Sequence, residues 1–238
     1  MIELKGFSAY YKVKQGYLVA IDNVDMSIYD GELLVIVGES GCGKSTLLKS
    51  ILNLQENTSG NLLIDGTPSG EIDMRDNIFA YVSQQYILYP HMIIYENIAY
   101  PLRVMKTSHE EVDLRVRAIA EKLGITHLLN RKPRQLSGGQ HQRVALARAL
   151  VKYPKYILMD EPFSNVDPEL RGDLRQMVRD VHKEYDATIV FVTHDLPEAF
   201  SLADRIAVLK NGKLEEIGTP RELRTSAQSD LLRGYLGL

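Results

Sequence analysis

The residues with the clearest capacity for chemistry are Gly38-Glu39-Ser40-Gly41-Cys42-Gly43-Lys44-Ser45, spaced as G-x-x-x-x-G-K-[ST]. Glycines at these positions let backbone N–H groups turn inward around a polyphosphate with no Cβ in the way. Lys44 brings charge for the β- and γ-phosphates, and the Ser45 hydroxyl is a ligand for Mg²⁺. Thr46 carries the segment into a helix whose positive N-terminal end adds to the cradle. Cys42 stands at a variable position of the loop and reads as structural or incidental rather than catalytic.

A second constellation follows an apolar run, Tyr156-Ile157-Leu158-Met159, which delivers Asp160 and Glu161 at its carboxyl end. In an open α/β sheet, ligands bind there. Asp160 suits Mg²⁺, directly or through water, and Glu161 suits the polarisation of an attacking water. By itself an acidic pair after a strand is weak; downstream of a phosphate loop it becomes specific. The third is Leu136-Ser137-Gly138-Gly139-Gln140. Ser137 and Gln140 fit a capping box, and Val144, Ala147, Leu150 and Val151 continue a helix. Glycines beside a helix N-terminus make a second anion site. The alternative is a plain helix cap.

These groups need a scaffold to meet. Leu33–Val37 is a short, wholly apolar run suited to a strand buried on both faces, and Leu47, Leu48, Ile51 and Leu52 repeat at helical spacing after the loop. Alternation within residues 2–30, as in Val24, Met26 and Ile28, predicts exposed antiparallel strands. Ser108 with Glu111 has capping-box spacing, Val112, Val116, Ile119 and Leu123 continue that helix, and Gly124 ends it. Thr188–Val192 is a further buried strand, preceded by a helix with Leu170, Leu174, Met177, Val178 and Val181 on one face. Asn211-Gly212 predicts a type I′ hairpin turn. The fold class is therefore α/β: a mostly parallel sheet in a P-loop NTPase core, with an N-terminal antiparallel β-subdomain. Residues from about 88 to 153 show helical patterns and no clear strand. They read as an inserted helical subdomain, with 1–87 and 154–238 forming the rest of a single domain, and the chain ends in a short helical tail.

Composition narrows the class. The 238 residues, 45% hydrophobic and 25% charged, suit one large domain or a core with a smaller subdomain. A formal net charge of −3 argues against a nucleic-acid binder. With Cys42 the sole cysteine, no intrachain disulfide forms, and a reducing compartment fits. Residues 1–10 lack the basic start and apolar stretch of a secretory signal, and no apolar run approaches the roughly 18 residues that cross a bilayer. The expectation is a cytoplasmic chain that meets a membrane through a partner.

LSGGQ at 136–140 matches the signature of the ATP-binding-cassette ATPases letter for letter, and the chain resembles that family over nearly its whole length. The resemblance implies that this loop serves the γ-phosphate of ATP on an opposite subunit, so that two chains sandwich two ATP molecules head to tail. It further implies roles residue by residue. Gln84 resembles the glutamine that senses Mg²⁺ and the attacking water, with Gln85 as a one-residue alternative. Asn165-Val166-Asp167 resembles the loop that reaches across the dimer, and His194 the switch histidine on the γ-phosphate. Tyr11 is the candidate for stacking on adenine, with Tyr10 close behind. ATP would then lie on Tyr11, residues 38–46, Ser137 to Gln140 and Asp167, with Mg²⁺ held by Ser45, Gln84 and Asp160. Glu161, His194, Gln84 and Lys44 would carry catalysis. The departures are Ser83 where an aromatic is usual, Val166 for leucine and His141 after the signature; none removes a catalytic group.

Residues 86–92 through Tyr100-Pro101-Leu102 are similar to the loop of importer ATPases of the sugar, polyamine and oxyanion groups, where the family forms a groove for a coupling helix of the membrane subunit. Exposed apolar side chains suit such a contact, or else fill the subdomain core. The implied partners are integral-membrane permease subunits, a second copy of the chain on ATP binding, and an extracytoplasmic solute-binding protein, with the chain on the cytoplasmic face of the membrane. Little follows Gly218-Thr219-Pro220, so a maltose-type regulatory domain is expected to be absent or the sequence cut short. The rival from another class is a soluble ABC-type ATPase of DNA repair or translation. It lacks support: no sustained heptads separate the phosphate loop from the signature, and the chain holds one cassette.

Overall fold

The computed structural model describes residues 1–73, 78–164 and 168–238. In chain order, β1 (Ile2–Val13) and β2 (Gly16–Ile28) lead to β3 (Leu33–Val37) and α1 (Lys44–Ile51). Next come β4 (Asn57–Ile64), β5 (Thr67–Pro68) and β6 (Phe79–Val82). Helices α2 (Ile94–Val104), α3 (His109–Lys122) and α4 (Gly138–Leu150) follow, then β7 (Tyr156–Asp160), α5 (Pro168–Tyr185) and β8 (Thr188–Thr193). The remainder is α6 (Leu196–Leu202), β9 (Arg205–Lys210), β10 (Lys213–Gly218), α7 (Pro220–Ser226) and α8 (Asp230–Leu236).

One sheet, in the order β2-β1-β4-β5, is antiparallel throughout. The other runs β10-β9-β3-β8-β7-β6, with only β10 antiparallel to its neighbour. Because successive side chains point to opposite faces, each buried strand feeds two cores. Leu33, Val35, Ile157, Met159, Ile189 and Phe191 pack toward the helices, whereas Leu34, Ile36, Leu158, Val190 and Val192 pack toward the first sheet and α1. That is why these strands read as unbroken apolar runs.

Two local expectations change. Val24, Met26 and Ile28 are buried while Asn23 and Asp25 between them are exposed, so one face of the antiparallel sheet is core; only the hairpin tip at Tyr17, Leu18 and Val19 is exposed on both faces. Ser108 caps α3 by accepting the Glu111 N–H at 3.3 Å, but Glu111 does not return the bond. Its carboxylate pairs with Arg115 one turn on, a charged partner that outcompetes the backbone N–H. The turn at Asn211-Gly212 has positive φ at both residues, 49° and 78°, as a type I′ turn requires. No strand falls between 88 and 153. Of the helix face read around Leu170, Leu174, Val178 and Val181 are buried, and the Leu170 side chain lies outside the described residues. Strands β4 and β5 were not read from the sequence. Among the described residues no helix is long and apolar enough to cross a membrane.

Candidate active site

Four parallel strands end side by side, and their registers align the residues that leave them. Val37 of β3 pairs with Thr193 of β8, Asp160 of β7 with Val192 of β8, and Val82 of β6 with Met159 of β7. The chain therefore leaves the sheet at Gly38, Glu161, His194 and Gln84 along one edge. The loop after β3 is pressed against neighbouring backbone. A Cβ on Gly38 would lie 2.2 Å from the Leu209 carbonyl oxygen, and one on Gly43 2.3 Å from that of Ala20. Only glycine fits either place. Gly43 caps α1 at φ 109°, which opens the helix N-terminus toward the loop.

Lys44 is buried, and its ammonium donates to the carbonyl oxygens of Gly38 at 2.8 Å and Glu39 at 2.9 Å. The side chain thus arches back over the loop's hollow, and its third donor faces Cys42 Sγ at 4.0 Å. Ser45 Oγ donates to Asp160 Oδ1 at 2.8 Å, joining α1 to the end of β7. Tyr81 on β6 donates its hydroxyl to the other oxygen, Oδ2, at 3.1 Å. Burial, then the charge of Asp160, pushes the Tyr81 phenol well above its usual range, so it remains a donor. Burial likewise raises the Cys42 thiol and keeps it un-ionised, in keeping with a packing role.

Glu161 holds a left-handed backbone, φ 45°, strained by about 1–2 kcal/mol in a non-glycine residue. Its N–H is anchored on the Val192 carbonyl at 2.9 Å, and its own carbonyl accepts Ser164 Oγ at 3.0 Å. This turn aims Oε2 at two partners. His194 Nδ1 lies 3.4 Å away, an ion pair when the ring is protonated, and Gln84 Nε2 donates from 3.4 Å. Gln84 also reaches Ser164 Oγ at 3.3 Å; of the two glutamines it is Gln84 that turns to the carboxylate.

The two tyrosines of β1 point to opposite sides. Tyr11 OH lies 3.1 Å from Thr46 Oγ1 on α1, whereas Tyr10 OH meets Ser59 at 3.2 Å. Ser137 caps α4 reciprocally: its Oγ accepts the Gln140 N–H at 3.4 Å, and Gln140 Oε1 accepts the Ser137 N–H at 3.1 Å. Ser137, Gly139 and Gln140 line a cavity of about 210 Å³ with His127 and Arg143, and no residue of the phosphate loop shares it. The chain thus gathers Lys44, Ser45, Asp160, Glu161, Gln84 and His194, and keeps residues 137–140 apart. Asp167, with Asn165 and Val166, lies outside the described residues. Two ties that sequence reading missed hold α4 against the edge. Gln142 Nε2 donates to the Pro162 carbonyl at 2.6 Å, and Arg148 Nη2 to that of Ile87 at 2.6 Å. Neither they nor Tyr81 and Ser164 carry a motif, so only contact reveals them.

Comparison with known proteins agrees with this geometry. Residues 21–164 match the family described as ABC transporter. The chain belongs to the ABC transporter family. It is 42% identical to the trehalose/maltose import ATP-binding protein MalK of Thermococcus litoralis over 228 residues, covering 93% of this chain and 61% of that one. It is 45% identical to the sn-glycerol-3-phosphate import ATP-binding protein UgpC of Bordetella avium over 226 residues, covering 95% and 63%. The chain thus spans about three fifths of the length of these curated relatives. Among solved structures it resembles the dimeric bacterial ABC transporter cassette MJ0796, with TM-score 0.83, 36% identity, and coverage of 93% of this chain and 99% of that one. A second structure of MJ0796, in a post-hydrolysis state bound to ADP and Pi, matches at TM-score 0.83 and 35% identity. The present chain has the cassette fold of this family: one antiparallel and one mostly parallel sheet, with the phosphate loop at the edge of the second.

Proposed function

We propose that this cassette hydrolyses ATP as one half of a head-to-tail dimer and thereby powers solute import through membrane permease subunits. The observation that carries this is the split just described. One chain assembles a cradle, a metal-suited carboxylate and a water-aligning carboxylate, and holds its second phosphate surface, residues 137–140, on a separate cavity. A second copy supplies that surface. Tyr11, beside Thr46, would stack on adenine, and residues 38–46 would take the phosphates. Lys44 would leave the Gly38 and Glu39 carbonyls for phosphate oxygens. Ser137 to Gln140 of the other copy would close on the γ-phosphate, with Asp167 reaching across. Glu161 accepts the proton of the attacking water while Gln84 and His194 orient it, an electrostatic and positional catalysis.

The donors fit Mg²⁺. Ser45 Oγ and Asp160 Oδ1 are hard oxygen ligands 2.8 Å apart, with the Gln84 amide at the same edge. Mg²⁺ binds through one or two such groups and completes its shell with phosphate and water oxygens. When bound, it neutralises charge developing between the β- and γ-phosphates. Residues 88–153 form the helical unit that meets the permease, through the exposed Tyr100, Val104 and Met105, with Ile87 just before it. On this reading the cassette works at the cytoplasmic face of the membrane. The relatives' names favour sugars or polyol phosphates as cargo, delivered by an extracytoplasmic solute-binding protein.

The test is size-exclusion chromatography with light scattering on Glu161→Gln, with and without Mg-free ATP. An ATP-dependent shift from monomer to dimer that disappears in Glu161→Gln/Ser137→Arg supports the sandwich. A monomer at every ATP concentration, alone and with permease in detergent, would sink it.

A further inference from the structure

Behind the hydrolytic edge lies a buried polar contact that the reading above does not use. Thr193 ends β8, one residue before His194. Its hydroxyl donates to Glu198 Oε2 at 2.8 Å and accepts the Asp195 N–H at 3.0 Å. The turn that carries His194 is therefore clamped on both sides of the histidine. Glu198, 4% exposed, sits in the first turn of α6, where its own N–H is capped by Asp195 Oδ1 at 3.0 Å. Burial pushes its carboxyl up, and the Thr193 hydrogen bond works against that.

The glutamine loop carries an unsatisfied buried group of its own. Tyr86, two residues after Gln84, is 7% exposed and has φ 45°. Its hydroxyl is buried with no hydrogen-bond partner. Burial and the negative charge of Glu198 both hold the phenol protonated, so it remains a donor. An unmade buried hydrogen bond is costly, so a movement of the loop that gave this hydroxyl an acceptor would be favoured.

We propose that Glu198 is a positioning residue for hydrolysis. Through Thr193 it sets the turn that presents His194 to Glu161, and it receives the Tyr86 hydroxyl when the Gln84 loop draws in. The two loops that flank Glu161 are thereby made to engage together. This role rests on the ATPase reading above.

The experiment measures steady-state ATPase activity of the cassette, with turnover divided by the number of sites counted in a titration with a fluorescent ATP analogue. Thr193→Val should lower kcat per site about tenfold while leaving KM within about twofold, the mark of misplacement rather than lost binding. Thr193→Ser, which keeps the hydroxyl, should restore turnover. Glu198→Ala should match Thr193→Val, and Tyr86→Phe added to it should lower kcat no further, since the two act through one contact. If Glu198→Ala does not fold, the Thr193 pair decides. Wild-type kcat per site in Thr193→Val, a loss that Thr193→Ser fails to reverse, or additive losses from Tyr86→Phe and Glu198→Ala would overturn the role. An inactive wild type that still binds the analogue would sink the ATPase reading itself, a failure read from a different sample.

Discussion

The carboxyl edge of the parallel sheet and the N-terminus of α4 both present groups suited to phosphate, and they are built in opposite ways. At the edge, contacts join residues far apart in sequence: Ser45 meets Asp160 across 115 positions, and Gln84 meets Glu161 across 77. At α4, Ser137 and Gln140 satisfy each other across a single turn. The first surface exists only when the whole sheet is formed. The second needs one capped helix and has no counterpart in its own chain. On the proposed reading, a site divided in this way gains a switch, because its two halves would bind ligand jointly only when two copies approach.

Stability should show that contrast most strongly. Phe191→Ala in β8, a buried ring packed on Phe163 at a centroid distance of 5.2 Å, should cost about 3–5 kcal/mol in denaturant titration and take ATP binding with it. Retained binding in the destabilised protein would break the claim that the edge depends on the sheet.

Chemistry should separate the halves next. Glu161→Gln should lower kcat by about 10²–10³-fold while a fluorescent ATP analogue still binds the monomer. Ser137→Arg should lower kcat by about tenfold or more and lose the cap's contribution to stability, yet leave monomer ATP affinity near wild type. Lost ATP affinity in the Ser137→Arg monomer would mean that the two surfaces are not separate. Ser137→Ala, which only removes the cap, should cost about 1 kcal/mol, read as a shift in the urea midpoint.

The smallest effect lies at the opposite end of the sheet. Burial works against ionisation of Asp65, but hydrogen bonds from Lys155, the Met1 amine and Tyr156 outweigh it and hold its pKa at about 2, below the ordinary 3.8. A depressed carboxylate stabilises the fold above its unfolded pKa, and that contribution fades as pH falls from about 3.8 to 2. Asp65 is partly exposed, so Asp65→Asn should cost less than about 1 kcal/mol at pH 7. The difference from wild type should vanish near pH 2 in acid titrations followed by circular dichroism.

Much of this was legible in the residues themselves. The unbroken runs of β3, β7 and β8, the glycines of the phosphate loop, the Ser137 cap and the Asn211-Gly212 turn are local features, and local sterics and hydrogen bonding give them the same meaning in any fold. The resemblance to the cassette ATPases, carried by motif order, brings Lys44, Asp160, Glu161 and His194 to one phosphate site. Contact between distant segments had no such signature. The choice of Tyr11 over Tyr10 beside Thr46 depends on which face of β1 meets α1. The bond from Tyr81 to Asp160 depends on β6 lying next to β7. The Gln142 and Arg148 ties depend on how α4 docks. Sequence determined what each segment could do, because backbone conformation and capping are settled within a few residues. Tertiary structure alone decided which groups stand within reach of one another, because burial and strand order are properties of the whole chain.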